Sequence, residues 1–340
     1  MIGRECVMNS MADIRKIAAS GKVGEADVLA LRRAMYGNDH VIDAAEANAL
    51  FDLNDAADGT CSAWPAFFIE AITDYCVHQS EPAGYVSDDM AGWLIAKVSH
   101  SGVVKTATEL ELLVKVMEAS RTVPARLEEF TLKQVHEAVM TGEGLTRAGL
   151  KLEPGQLGEP EVSLLRRILY ACGGDTGASI SRAEAELLFD INDAASSSDN
   201  HPSWRELFVK AIANYLMAAR VGVSPSREEA LRREKWLDQE STGVIGILSG
   251  ALSSGLRGLR EDNWQDVRDN RQTVAARRHN RFVSDTAMAE LVTEDEAAWL
   301  VERINRDGDL HDAEKALLQF IKRESPDIHP GLKPLLDRVA

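Results

Sequence analysis

The sequence carries almost no strand signal. No run alternates Val, Ile or Thr with polar residues, which argues against a sheet-based fold. Cysteine is scarce. Cys6, Cys61, Cys76 and Cys172 lie far apart and none pairs at metal-ligand spacing, so neither a disulfide framework nor a thiolate metal centre is expected. No apolar run reaches the roughly 20 residues of a membrane span. The opening MIGRECVMNSMAD lacks an apolar segment of signal-peptide length, so the cytoplasm is the expected location. Positive charge is in deficit: 38 Lys and Arg stand against 54 Asp and Glu, for a net charge of −16. A surface of that sign repels a phosphate backbone and argues against nucleic acid as the main partner. Glycine-rich phosphate loops are missing, since Gly243 to Gly250 lacks the Lys-Ser/Thr ending and a preceding strand. The eight histidines show no paired metal spacing, and no nucleophile elbow is present. Cys172, beside Gly173 and Gly174, is a faint thiol candidate at the wrong end of a helix for reactivity.

What is present is repetition. The chain is 45% hydrophobic, which excludes wholesale disorder and supplies a real core. VGEADVLALRRAMY (Val23 to Tyr36) returns as LGEPEVSLLRRILY (Leu157 to Tyr170). IDAAEANALFDLNDAA (Ile42 to Ala57) returns as ISRAEAELLFDINDAA (Ile180 to Ala195), and AWPAFFIEAITDY (Ala63 to Tyr75) as SWRELFVKAIANY (Ser203 to Tyr215). A second unit, Ser87 to Ser120, resembles Thr293 to Ser325, with Trp93 opposite Trp299, Gly102 opposite Gly308 and Pro124 opposite Pro330. Three- and four-residue apolar spacing makes each unit helical. Asp43 with Glu46, and Ser181 with Glu184, have capping-box spacing.

The expectation is therefore an all-α protein of two duplicated lobes, each of two helical-hairpin units. Residues 1–22 form an N-terminal extension and 23–140 the first lobe, in units 23–86 and 87–140. A linker at 141–156 leads to the second lobe at 157–220 and 293–340, interrupted by an insertion at 221–292. Trp64, Phe68, Trp93, Trp204, Phe208 and Trp299 are expected core anchors.

Three features invite chemistry. The first is the turn RINRDGDLHDAE, Arg303 to Glu314. Read as an EF-hand loop, it offers Asn305, Asp307, Asp309 and Glu314 as Ca²⁺ ligands, with Gly308 at the sharp turn. Arg303 occupies the first position, where an acid is needed. Glycine ending one helix and glutamate capping the next explains the same residues without an ion. The second is the repeated Asp-x-Asn-Asp, with Asp52 and Asp55 in one copy and Asp190 and Asp193 in the other. Acids three apart share a helix face, so they could bind a cation or line an enzyme site between the lobes. The favoured reading is scaffold, because the motif is built twice: its Asn and Asp side chains bond nearby backbone at a helix end, and Arg32-Arg33 and Arg166-Arg167 are available to pair with the acids.

The third is the insertion. From Ser226 to Val292 it carries eleven basic and eleven acidic residues, neutral within an acidic chain. Ile245, Leu248, Leu252 and Leu256 form an apolar stripe broken by glycines, followed by Trp264, Arg277, Arg278 and Arg281. Such a segment suits a partner protein, with packing onto the lobes to join them and docking on an anionic membrane surface as the alternatives.

The stretch Asp307 to Leu318 (DGDLHDAEKALL) resembles the turn of TerB-like, tellurite-resistance-type helical domains and of degenerate bacterial EF-hands. The resemblance covers about 30 residues of the last unit and, more faintly, Gly102 to Leu113. It implies an all-helical, metal-responsive domain. The reading as a whole is a non-enzymatic scaffold binding a protein through residues 242–283. The alternatives are a Ca²⁺ sensor and a membrane-associated protein.

Overall fold

A computed structural model describes residues 2–37, 41–147, 153–171, 180–217, 293–324 and 329–339. Ile245, Leu248, Leu252, Leu256, Trp264, Arg277, Arg278, Arg281 and Cys172 lie outside the described residues. The described chain is all-α, with thirteen α-helices. These are α1 Ile2–Ser20, α2 Glu25–Tyr36, α3 Ala44–Ala56, α4 Trp64–Thr73, α5 Asp88–Val98, α6 Ala107–Ala119 and α7 Ala125–Thr141. They continue with α8 Glu159–Leu169, α9 Arg182–Ala195, α10 Ser203–Met217, α11 Glu294–Ile304, α12 Asp312–Glu324 and the short α13 Lys333–Leu336. No helix among the described residues is long and apolar enough to cross a membrane.

Strand signals are almost absent from the sequence, and the described residues hold only two ladders of two residues each. β1 Lys22–Val23 pairs in parallel with β2 Gly59–Thr60, and β3 Ser99–His100 pairs antiparallel with β4 Val103–Val104. They are loop ends drawn side by side by the helices. Runs so short have no apolar alternation to read.

Helix starts follow the local chemistry. Asp43 accepts from the Glu46 amide while Glu46 accepts from the Asp43 amide, and Ser181 and Glu184 make the same reciprocal pair. Each box satisfies two donors that an α-helix leaves open at its first turn. Gly102 and Gly308 adopt φ of +85° and +84°, left-handed values that glycine takes without strain. Each lies in the turn between two hairpin helices.

Packing recurs in order along the chain. α1 lies against α2 and α3, as α7 lies against α8 and α9. α2 lies on α4 and α8 on α10; α4 lies on α6 and α10 on α12. α5 meets α7, and α11 meets the 3₁₀ turn Pro330–Leu332. The aromatic cores match ring for ring. Phe51 meets Phe68 at 5.0 Å and Trp93 at 5.5 Å, both edge-on; Phe189 meets Phe208 at 5.0 Å and Trp299 at 5.5 Å, both edge-on. Tyr75 closes the first set on Trp93 and Tyr215 the second on Trp299. Trp64, Phe68, Trp204, Phe208 and Trp299 are buried and Trp93 is half-buried, as expected of core anchors. Edge-to-face pairs add about 0.5–1.5 kcal/mol each beyond the area they bury.

Candidate functional site: the arginine–carboxylate cleft on the second lobe

The second Asp-x-Asn-Asp copy sits in the last turn and a half of α9, one face inward on the core and one outward. Phe189 and Asn192 are buried, while Asp190 and Asp193 reach the surface beside α11. Facing them, α11 presents Trp299 and Arg303, four apart and therefore on one stripe. The Trp299 indole N–H donates to Glu186. Arg303 is only 8% exposed, which makes it the most deeply placed charge of the cleft. Its guanidinium stacks 5.2 Å from the Phe189 ring centroid. It lies 2.8 Å from Asp190, 3.3 Å from Glu186 and 3.8 Å from Asp193. Arg306 adds a second cation at 2.8 Å from Asp190. These residues, with Arg182 and Glu302, line an open cleft of about 610 Å³.

The electrostatics follow from that geometry. Partial burial works against ionising Asp190, but hydrogen bonds from Arg303 and Arg306 overcome it and hold the carboxyl below the usual aspartate range. Asp193 goes the other way. Burial raises it, and the nearby Arg303, with Asp307 and Asp190 acting against it, does not bring it back to the usual aspartate range. In the cleft, charges of opposite sign are paired with each other, an arrangement that fixes α11 on α9.

The Arg303 to Glu314 turn adjoins this cluster through Asp193, which acts electrostatically on both His311 and Glu314. The four candidate Ca²⁺ ligands fare differently. Asn305 donates to the Val301 carbonyl and accepts from Arg338. Asp307 accepts from the Asp309 amide and pairs with the His311 ring at 2.7 Å. Glu314 is buried and accepts from the His311 amide, capping α12. Burial pushes its carboxyl up to about 7, against the opposing His311 amide bond. Asp309 is exposed. Among the described residues, no three His, Cys, Asp or Glu are grouped to hold a metal ion.

The first lobe builds the same corner with softer chemistry. Trp93 donates to Asn48 at 3.4 Å, Lys97 lies 3.8 Å from Asp52 and over Phe51, and Lys105 bonds Asp55 at 2.8 Å. One expectation is thereby corrected. Asp52 and Asp55 are paired with Lys97 and Lys105, and Asp190 with Arg303 and Arg306, so each acidic motif meets cations of the unit that follows it in sequence. The Arg-Arg pairs are not their partners. Arg32 forks onto Glu70, and Arg167 grips Glu111 and Glu118, because α2 and α8 face α4 and α6 rather than the acidic end of the following helix. The acids' real partners were visible as a cation at the same place in both second units, Lys97 and Arg303, four residues after each tryptophan. No protein-family model, curated protein or solved structure matches this chain.

Proposed function

We propose that this chain is a non-catalytic helical scaffold that binds a partner protein through residues 242–283. One observation carries the reading. The same aromatic-cored helical arrangement occurs twice, but only the second interrupts it. In the first, the π turn ending at His78 reaches α5 at Asp88 within a short connection. In the second, α10 ends at Met217 and α11 begins at Glu294. An arrangement that closes once with a short connection has no structural need of the longer one, and the loop-closure cost of the extra residues is small. The added chain is the part free to carry an activity of its own, and its apolar stripe followed by arginines suits a protein surface. The internally paired cleft agrees with a scaffold, since Glu186 and Asp190 are committed to guanidinium groups.

The test replaces Thr242 to Arg281 with a short Gly-Ser linker in the full chain. Chemical cross-linking in cells should capture a partner with the intact chain and lose it with the replacement, while helical circular dichroism and melting stay unchanged. Loss of cooperative melting would show the segment to be core. Binding of the intact chain alone to phosphatidylserine vesicles would replace the protein partner with a membrane surface.

A further inference from the structure

The two lobes are joined through a helix face that the first lobe leaves open. On α8 the stripe Pro160, Ser163, Leu164 and Arg167 is half-buried throughout. α8 lies against α6, and Arg167 is its clasp. Both terminal nitrogens fork onto Glu111 at 2.8 Å, and Nε donates to Glu118 at 2.8 Å. Glu111 and Glu118 are seven apart, so they share one helix face and their carboxylates meet on one guanidinium. The matching stripe on α2 is Ala26, Leu29, Ala30 and Arg33, by the recurrence of Val23 to Tyr36 as Leu157 to Tyr170. All four are exposed, and Leu29 shows 48% of its surface. Arg33 has no side-chain partner among the described residues. α2 packs on α1 and α4 as α8 packs on α7 and α10; the helix corresponding to α6 is what differs.

We infer that the Ala26-Leu29-Ala30-Arg33 face of α2 is a docking site for a helix of another protein that presents two glutamates one heptad apart. The chain itself shows what covers this face, because α6 covers its equivalent. Ala26 and Ala30 allow close approach of a backbone, Leu29 offers the apolar contact, and Arg33 supplies the fork that Arg167 uses. A second copy of this chain does not offer the matching pair. Its α6 glutamates are held by its own Arg167, and the corresponding positions of α12 are Ala316 and Arg323, which would set a cation against Arg33. The site is on the first lobe and is independent of residues 242–283, so the two binding readings stand or fall separately.

The probe is a fluorescein-labelled peptide of Thr106 to Ser120, the α6 sequence, against the full-length chain by anisotropy. A second peptide carries E111K and E118K. The chain should bind the first peptide and bind the second at least about tenfold more weakly, the loss that reversing a close charge pair brings. Arg33→Glu should reverse that order, preferring the lysine peptide. Since Arg33 is exposed, this variant should keep its helical signal; Arg33→Gln, losing affinity for the first peptide without gaining the second, serves beside it. Equal binding of both peptides, no binding, or an order unchanged by Arg33→Glu would overturn the proposal. So would a self-associated chain in sedimentation velocity that Arg33→Glu renders monomeric.

Discussion

Arg303→Met is the most informative single perturbation of the second lobe. The guanidinium is 8% exposed and faces three carboxylates at 2.8, 3.3 and 3.8 Å. Removing one partner of a buried pair costs about 3–5 kcal/mol, because the remaining charge is left uncompensated. Glu186 and Asp190 keep 36% and 41% of their side chains in water, which lets solvent recover part of that. The expected loss is therefore about 3 kcal/mol, a large share of the roughly 5–15 kcal/mol that holds a domain together. Arg303→Lys should cost only about 1–2 kcal/mol, since the first lobe places Lys97 in the same corner, 3.8 Å from Asp52. The loss also has a pH signature. Asp190 is held below its ordinary value in the fold, so its contribution is present above the unfolded pKa and fades as pH falls through the folded one. Urea unfolding followed at 222 nm should show the wild-type advantage at pH 7 and a smaller one near pH 3. A loss under 1 kcal/mol at pH 7, or equal cost for lysine and methionine, would refute the view of Arg303 as the clasp of α11 on α9.

Three further outcomes follow from the same corner. Trp299→Phe keeps the ring near Phe189 and Tyr215 but removes the indole bond to Glu186, and should cost about 1–2 kcal/mol in chemical denaturation. Glu314→Gln keeps an acceptor for the His311 amide without the buried charge. The fold raises Glu314 to about 7, so its favourable contribution is full below the ordinary value of 4.5 and lost as pH rises through about 7. The variant should gain about 1–3 kcal/mol at pH 8 and nothing at pH 4, and a loss at pH 8 would contradict that sign. Millimolar Ca²⁺ should leave melting and Trp299 fluorescence unchanged, because Asn305, Asp307 and Glu314 are already engaged by protein donors. A rise in melting temperature removed by Asp307→Asn would restore the Ca²⁺ reading.

Much of the helical frame was legible because each helix is specified locally. The Asp43–Glu46 and Ser181–Glu184 boxes, the glycines in the turns and the three- and four-residue apolar spacing lie within a dozen residues of one another. The aromatic anchors were legible because recurrence marked them twice. The ion pairs were not. Asp190 and Arg303 are 113 residues apart, and nothing in the local pattern says which cation an exposed carboxylate will meet. Arg32 and Arg33 looked like partners for Asp52 because they precede it closely in sequence. The hairpin instead turns one of them to α4 and leaves the other outward. The turn at Arg303 is ambiguous in sequence for a related reason. An acid, a glycine and a capping glutamate meet the needs of a Ca²⁺ loop and of a helix junction alike, and the pattern alone does not show the partners that Asn305, Asp307 and Glu314 take in the fold.

Comparing the halves position by position separates what packing fixes from what it leaves to drift. The ring lattice is fixed: Phe51, Phe68, Trp93 and Tyr75 correspond to Phe189, Phe208, Trp299 and Tyr215 with near-identical separations. The polar work around it is kept in purpose and not in residue. The amide of Ile42 finds its acceptor on Gln79, and that of Ile180 finds one on Asn214, which replaces Asp74 of the first lobe. Asp74 instead accepts from the Tyr36 hydroxyl. Arg32 pairs with Glu70, but Lys210 stands in place of Glu70 and bonds Glu206 of its own helix. A buried amide must have an acceptor, and any nearby side chain able to reach will serve. A surface cation has no such requirement. Arg33 and Arg167 are the case where one repeated position meets two environments, exposed on α2 and clasped to Glu111 and Glu118 on α8. Identical residues on equivalent helices end in different environments because α8 lies against α6 and α2 has no counterpart of α6 among the described residues. That difference belongs to the arrangement of lobes rather than to either lobe alone.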